Sequence, residues 1–456
     1  MMNETNNTDA DVIVVGGGLA GLAAAAYLGR ANRSVIVLER SSHVGGRAVT
    51  QTQGDFRFNL GPHALYKEGR GATILRELGV RFSGGIPPKD GRALYRDELH
   101  TLPSNPWSML RTGLFGLGAK VEFGRIFAGI GRIDIAEIAG VSLSEWSERN
   151  VRRPEVRRLL EAFARLSTYV NDPSAISAGM VIGQLQMATK GVYYLDGGWQ
   201  TLVDGLATCV EAAGVGIVTG ASVTAIERDV RAHTVHLDGG RAYTSRNVII
   251  AVDPSVAAKL LGSIDSAALT AHAEAAVPVR AATLDVGLTK LPQPSNRFVL
   301  GIDRPLYLSV HSGLADLAPP GGAMIHVAKY LGTDRGPEKR SDPEAAQIEL
   351  EALLDLAQPG WRKVVAERRF LPNLTVVNAL AAAEQGGLAG RPGPEIAGAP
   401  GLYIAGDWVG PDGWLVDASL ASARSAATAI IQSDSPKRQR PALPWKGAAR
   451  AATLAK

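Results

Sequence analysis

Asp11-Val12-Ile13-Val14-Val15 is a short apolar run rich in β-branched residues, the pattern of a strand buried on both faces. It runs straight into Gly16-Gly17-Gly18, after which the alanine-rich Leu19 to Ala26 reads as a helix. A second apolar run, Val35 to Leu38, closes on Glu39, so the opening of the chain predicts strand, tight turn, helix and parallel strand. Helical spacing recurs over Glu145–Arg149, Val156–Leu166, Thr201–Ala213, Pro343–Leu356 and Leu415–Ile431. Strand patterns fall at Phe56–Leu60, Gly216–Thr219, Val223–Glu227, Thr234–Leu237, Asn247–Ala251, Ala282–Leu288, Ala323–Ala328 and just before Gly406. From Trp107 to Ile138 large apolar residues interleave with Arg111, Lys120, Glu122, Arg125, Arg132, Asp134 and Glu137. Those charges forbid a membrane span, and two readings stay open: a helix pair with its apolar face buried, or a stretch lying on a membrane surface.

The glycine turn carries the first chemistry. Gly16 permits the strand-to-helix turn, Gly18 leaves room for a pyrophosphate, and Gly21 lets the helix sit close on the sheet. The helix start at Leu19 and Ala20 offers free N–H groups and a dipole to the diphosphate charge. Glu39 stands where a ribose diol needs an acceptor. NAD and FAD share this fingerprint. Two further segments narrow the choice: Arg40 with Gly45-Gly46-Arg47, which sets bare backbone and a guanidinium beside the phosphates, and Gly406-Asp407-Trp408, a strand end that precedes an apolar helix. The start of that helix suits the pyrimidine edge of a flavin, where reduction places negative charge.

With Gly197-Gly198-Trp199 between them, these segments resemble, in order along the chain, the superfamily of FAD-dependent amine oxidases, phytoene desaturases and protoporphyrinogen oxidases. The resemblance implies an α/β fold: a Rossmann-type FAD-binding domain of the glutathione-reductase-like variant, assembled from discontinuous segments, with an α+β substrate domain and a helical cap. The expected division is 1–65, 195–255 and 395–433 for FAD, and 66–194 with 256–394 for substrate. A basic tail, 434–456, is expected to be disordered. By resemblance, non-covalent FAD would be held by Gly16, Gly18, Leu19, Ala20 and Gly21 at the pyrophosphate, and by Glu39 and Arg40 at the adenosine. Val223 would offer backbone to adenine; Gly45, Gly46, Arg47, Gly406 and Asp407 would line the ribityl and phosphate side, and Leu415 and Val416 the ring. Gly61-Pro62-His63 matches a turn that family members bring near the isoalloxazine, and His63 can donate, accept or titrate there. Lys259 resembles in position a lysine that amine oxidases hold over the flavin, and equally suits a solvated helix face. Trp408 and Trp414 bracket the C-terminal loop as a cage or as packing, with Trp414 a candidate beside the reacting atoms.

Composition trims the alternatives. In 456 residues, 46% hydrophobic and 20% charged, the net charge of +4 is mild and several basic groups sit in the tail, so nucleic acid is not an expected partner. A single cysteine, Cys209, leaves no internal disulfide and suits a cytoplasmic location, with peripheral membrane association still open. The first ten residues show no secretory signal, and no spacing of His, Cys, Asp or Glu suggests a metal site. Aromatic content of 6% and no acidic cluster for a polyamine favour a bulky hydrophobic small molecule as substrate. The expected reaction removes a hydride and a proton from it, with the flavin reoxidised by oxygen, a quinone or another small acceptor, since no second dinucleotide fingerprint follows a strand. An amine oxidase releasing hydrogen peroxide is the alternative. A non-catalytic escort protein of the kind that binds prenylated GTPases is the alternative from another class.

Overall fold

A computed structural model of the chain describes residues 8–229, 232–262, 264, 267–333 and 342–433. The expected tail at 434–456 lies outside the described residues. The apolar run Ala10–Val15 is a strand, paired in parallel with Val35–Leu38 on one side and with Ala242–Ile250 on the other. Gly216–Val218 extends the sheet beyond Val35–Leu38, also in parallel. The chain reaches this sheet again at its far end, where Leu402–Ile404 pairs in parallel with Val248–Ile250.

Ala242–Ile250 has two roles. Its first half pairs antiparallel with His233–Leu237, which pairs in turn with Val223–Arg228, while its second half, fully buried, enters the parallel layer. The small sheet expected around the Asp238-Gly239-Gly240 turn is therefore a meander growing out of the dinucleotide sheet. Phe56–Asn59, expected as the last strand of the dinucleotide unit, instead pairs with Thr50–Gln53 in a separate hairpin. Its alternation of buried aromatics with polar residues fits a two-stranded ribbon better than a strand buried on both faces.

Helices Leu19–Arg30 and Val416–Ser433 cover the parallel sheet together with Gln200–Ala212. Alanine dominates the buried side of Leu19–Arg30, and Gly29 would place a Cβ within 2.7 Å of Ala213 and Val215, so small residues let these helices approach closely. A second sheet orders Val365–Val377, Val279–Leu288, Ala323–Tyr330, Leu306–Val310, Phe298–Gly301, Arg92–Tyr95 and Glu98–Thr101. Its neighbours run antiparallel except Phe298–Gly301 with Arg92–Tyr95. The helix Pro343–Ala357 packs on it through Ala346, Leu350, Leu353 and Leu354.

Two helices, Pro106–Arg111 and Leu117–Gly129, fill the amphipathic stretch. Phe115 and Phe123 are buried, but Trp107, Leu110, Leu117 and Val121 face outward. The helix-pair reading thus describes the secondary structure, and part of the apolar surface stays uncovered. Among the described residues no helix is long and apolar enough to cross a membrane.

Candidate functional site

The three glycines of the first turn do different work. A Cβ on Gly16, at φ +105°, would stand 2.6 Å from the Ala251 carbonyl oxygen, and one on Gly21 would stand 1.9 Å from the Gly16 carbonyl oxygen. Both positions are closed by backbone. A Cβ on Gly18 meets nothing within 4 Å. Gly18 also precedes the helix in an extended conformation, and no side chain caps that helix end. Its first N–H groups, which have no partner within the helix, therefore open onto free space.

That space is a cavity of about 1580 Å³. Gly16, Gly18, Leu19, Ala20, Glu39, Arg40, Gly45, Gly46, Arg47, Pro62, His63, Val223, Gly406, Asp407, Leu415 and Val416 all line it. Residues separated by up to four hundred positions therefore meet on one surface, as a single bound dinucleotide requires. Gly21 and Gly61 stand behind the wall: Gly61, at φ +77°, packs on Thr283 and Leu374. Buried Glu39 accepts from the Gly17 N–H (2.7 Å) and the Ser41 N–H (2.8 Å), which fixes its carboxylate at the cavity edge with acceptor capacity to spare. Arg47 joins the two ends of the chain, since its guanidinium pairs with buried Asp407 (2.8 Å) and donates to the Val376 carbonyl (2.8 Å). Asn378 Nδ2 donates to the same Asp407 carboxylate (2.9 Å).

FAD fits this arrangement on three independent counts. The uncapped helix start faces open space, a buried acid with acceptor capacity to spare lies at the cavity edge, and two buried groups on the wall have no protein partner: Trp199 Nε1 and Thr283 Oγ1. Donors left unpaired beside a cavity fit a ligand rich in acceptors, because leaving them unpaired is costly. Leu415, the residue before helix Val416–Ser433, holds φ at +55° and lines the same wall. A non-glycine residue in the left-handed region is strained, and here the strain turns the chain into a helix whose N-terminus meets the cavity.

His63 stands at the other side. Its Nδ1 lies 3.0 Å from the Gly61 carbonyl oxygen, which can only accept, so Nδ1 carries the proton. The ring meets Trp199 edge-on at 4.7 Å, and burial pushes the imidazole down to about 4. His63 is therefore neutral at neutral pH, with Nε2 free to accept.

Three residues of the second sheet hold this turn in place. Asp285 lies opposite His326 on one neighbouring strand and opposite Arg369 on the other. Its carboxylate accepts from His326 Nδ1 (2.7 Å) and from Arg369 Nη2 (2.8 Å), with Asp285 and His326 fully buried. The Arg369 guanidinium also donates to the Asn59 carbonyl oxygen, and the Tyr169 hydroxyl donates to the Pro62 carbonyl oxygen (2.7 Å). The Gly61-Pro62-His63 turn is thus gripped on both flanks. Sequence reasoning missed this trio. Its visible signal was an isolated Asp, His or Arg inside an otherwise apolar or β-rich run.

Lys259, Trp408 and Trp414 do not reach the cavity. Lys259 is exposed on helix Pro254–Leu261, where Asp253 Oδ1 caps by accepting from the Val256 N–H (3.0 Å). Trp408 is buried and donates to the Val252 carbonyl (3.0 Å). Trp414 is fully buried, donates to the Thr168 carbonyl (3.1 Å) and carries the Arg391 guanidinium 4.9 Å from its ring. Both tryptophans pack, because each indole N–H finds a backbone acceptor on its own side of the wall. Other aromatics do line the cavity, among them Tyr169, Tyr307 and Tyr330, whose rings meet edge-on at 5.7 and 6.5 Å.

A profile of flavin-containing amine oxidoreductases matches residues 19–431. The chain is 25% identical over 284 residues to a probable flavin-containing monoamine oxidase A of Dictyostelium discoideum, covering 55% of this chain and 59% of that one. It is 27% identical over 285 residues to a phytoene dehydrogenase of Streptomyces griseus, covering 55% and 56%. The chain thus spans little more than half the length of the curated relatives it matches. Among solved structures, an oxidoreductase from Methanosarcina mazei superposes with a TM-score of 0.74 at 20% identity, over 91% of this chain and 99% of that one. At that identity the likeness establishes the fold.

Proposed function

This chain belongs to the flavin-containing amine oxidoreductase family, and from that premise we propose that it is an FAD-dependent oxidoreductase that removes a hydride and a proton from a bulky apolar small molecule. The supporting observation is the cavity. Its volume of about 1580 Å³ takes in the nucleotide cradle and the space beyond it, where an ordinary pocket for one ligand spans a few hundred to about 1,000 Å³. Beyond the groups suited to the nucleotide it continues between Leu102, Met109, Phe123, Phe127, Phe163 and Leu166. These side chains shed water and hold a large apolar molecule by area alone.

When bound, FAD supplies the hydride acceptor. The protein supplies position. Gly18, Leu19 and Ala20 would meet the diphosphate, Glu39 and Arg40 the adenosine, and Val223 the adenine through its backbone. Arg47, Gly406 and Asp407 would face the ribityl chain, and the helix start at Leu415 and Val416 the ring. His63 keeps a neutral acceptor nitrogen on the substrate side, able to receive a proton or orient a polar group. Tyr169, Tyr307 and Tyr330 exclude water around the reacting carbon.

A second reading, amine oxidation, draws on the same three tyrosines, whose ring faces suit a cation, and on the monoamine oxidase among the relatives. Anaerobic titration of the purified yellow protein decides between them. Loss of the oxidised flavin absorbance on adding polyenes, terpenoids or tetrapyrroles supports the apolar reading. Bleaching by amines alone, with hydrogen peroxide released on readmitting air, replaces it with the second. A preparation that stays colourless with added FAD returns the protein to the escort class.

A further inference from the structure

The cavity opens at a surface that is itself apolar. Trp107, Leu110, Leu117 and Val121 are 67, 69, 80 and 66% exposed, and Ile86 is 46% exposed. Among the described residues eight large apolar side chains are exposed, and these five all fall between residues 86 and 121. Ile86 and Leu110 are both exposed and part of the cavity wall. On helix Leu117–Gly129 the outward positions 117 and 121 continue at helical spacing to Gly124 and Ala128, which also line the cavity. An apolar face therefore runs from solvent, over the rim, to the inner wall.

The charges on this segment are one-sided. The two helices, Pro106–Arg111 and Leu117–Gly129, carry Arg111, Lys120 and Arg125 against a single carboxylate, Glu122, while beyond them Arg132 is offset by exposed Asp134 and Glu137. Glu122 is already engaged, accepting from the backbone N–H groups of Arg152 (2.7 Å) and Arg153 (3.2 Å). Arg111 lies 5.7 Å from the Trp107 ring, which sets a cation beside an interface-seeking aromatic. At the mouth itself exposed Lys89 and Asp90 add one charge of each sign, so the positive excess lies on the helices. Exposed Trp and Leu flanked by cations match an anionic bilayer surface in both apolar depth and charge.

We propose that this face docks on an anionic lipid surface, with Pro106–Arg111 and Leu117–Gly129 lying in the headgroup layer and the cavity mouth turned to the membrane. An apolar substrate then passes between bilayer and cavity without crossing water. That passage rests on the apolar-substrate reading above; the docking stands without it.

Flotation of the flavin-loaded protein tests the docking. Vesicles of phosphatidylcholine with phosphatidylglycerol should carry at least about fivefold more protein than phosphatidylcholine alone, and added salt should release part of it. The triple variant W107S/L117S/V121S should lose about tenfold in bound fraction, and R111E/R125E a comparable amount on anionic vesicles only. Unchanged melting temperature and flavin absorbance show that these variants keep their fold. Failure to float, or equal flotation of the variants, overturns the proposal. So does a concentration-dependent dimer in solution that the same substitutions abolish, since the face then belongs to a second copy. Flotation combined with no bleaching by apolar compounds keeps the docking and removes the substrate reading; bleaching without flotation does the reverse.

Discussion

Gly18 and Gly21 stand three residues apart and answer to different constraints. A side chain on Gly18 enters open space, and one on Gly21 enters the Gly16 carbonyl at 1.9 Å. We expect Gly18→Val to leave the melting temperature of the flavin-stripped protein within about 1 °C of wild type while flavin retention falls at least about tenfold, read from absorbance after desalting. Gly21→Val should instead lose about 2 to 4 kcal/mol of stability in denaturant titration whether or not flavin is present. His63 makes a second prediction at this scale. Its folded pKa, about 4, lies below the ordinary histidine value, so the stability tied to its neutral form is complete above about pH 6.5 and is lost as pH falls towards 4. The wild-type stability curve should therefore drop across that interval, and His63→Gln should flatten the drop by on the order of 2 kcal/mol in urea titrations at each pH. A difference that instead opened above pH 7 would contradict the neutral assignment.

Among elements, the register of the second sheet sets His326, Asp285 and Arg369 side by side across three strands, on the face opposite the apolar one that Leu284, Val286, Ile325 and Val327 turn to helix Pro343–Ala357. Asp285→Ala would leave a buried imidazole and a part-buried guanidinium without their shared acceptor, and should cost about 3 kcal/mol in denaturant titration. Asp285→Asn, which keeps the shape and an acceptor, should cost less and loosen the turn at His63. Strands and helices of this kind were legible in the sequence wherever period and punctuation agreed. Pro343–Ala357, Gln200–Ala212 and Val416–Ser433 all fall within a few residues of their predicted spans. The dinucleotide turn was readable because its glycines, its acid and their spacing answer to one local geometry. The partners of Asp285 were not, since they lie 41 and 84 positions away and are chosen by strand register alone. For Lys259 and Trp414 the sequence left two readings open, and the structure has the first solvated and the second packed, because position near a motif says nothing about which side of the wall a side chain takes.

At the scale of the whole molecule, the candidate nucleotide site is built from segments that begin at Gly16 and end at Ser419. A ligand contacting all of them binds the folded state alone, so FAD should stabilise the chain by mass action, by about 2.7 kcal/mol at a hundredfold excess over its dissociation constant. Stripped protein should melt lower than reconstituted protein, with the gap widening as FAD is added. NADP at equal concentration should shift the transition far less, and an equal shift would remove the flavin assignment.

The double use of strand Ala242–Ile250 has a consequence for biosynthesis. Its buried end pairs with Ala10–Val15 on one edge and waits for Leu402–Ile404 on the other. On the ribosome, that second edge stays unpaired until some 150 further residues have emerged, roughly ten to thirty seconds at ordinary elongation speeds. Through that interval the nascent chain displays an open, apolar strand edge, which makes it a client for chaperones and delays cofactor loading until Leu402–Ile404 has emerged and paired.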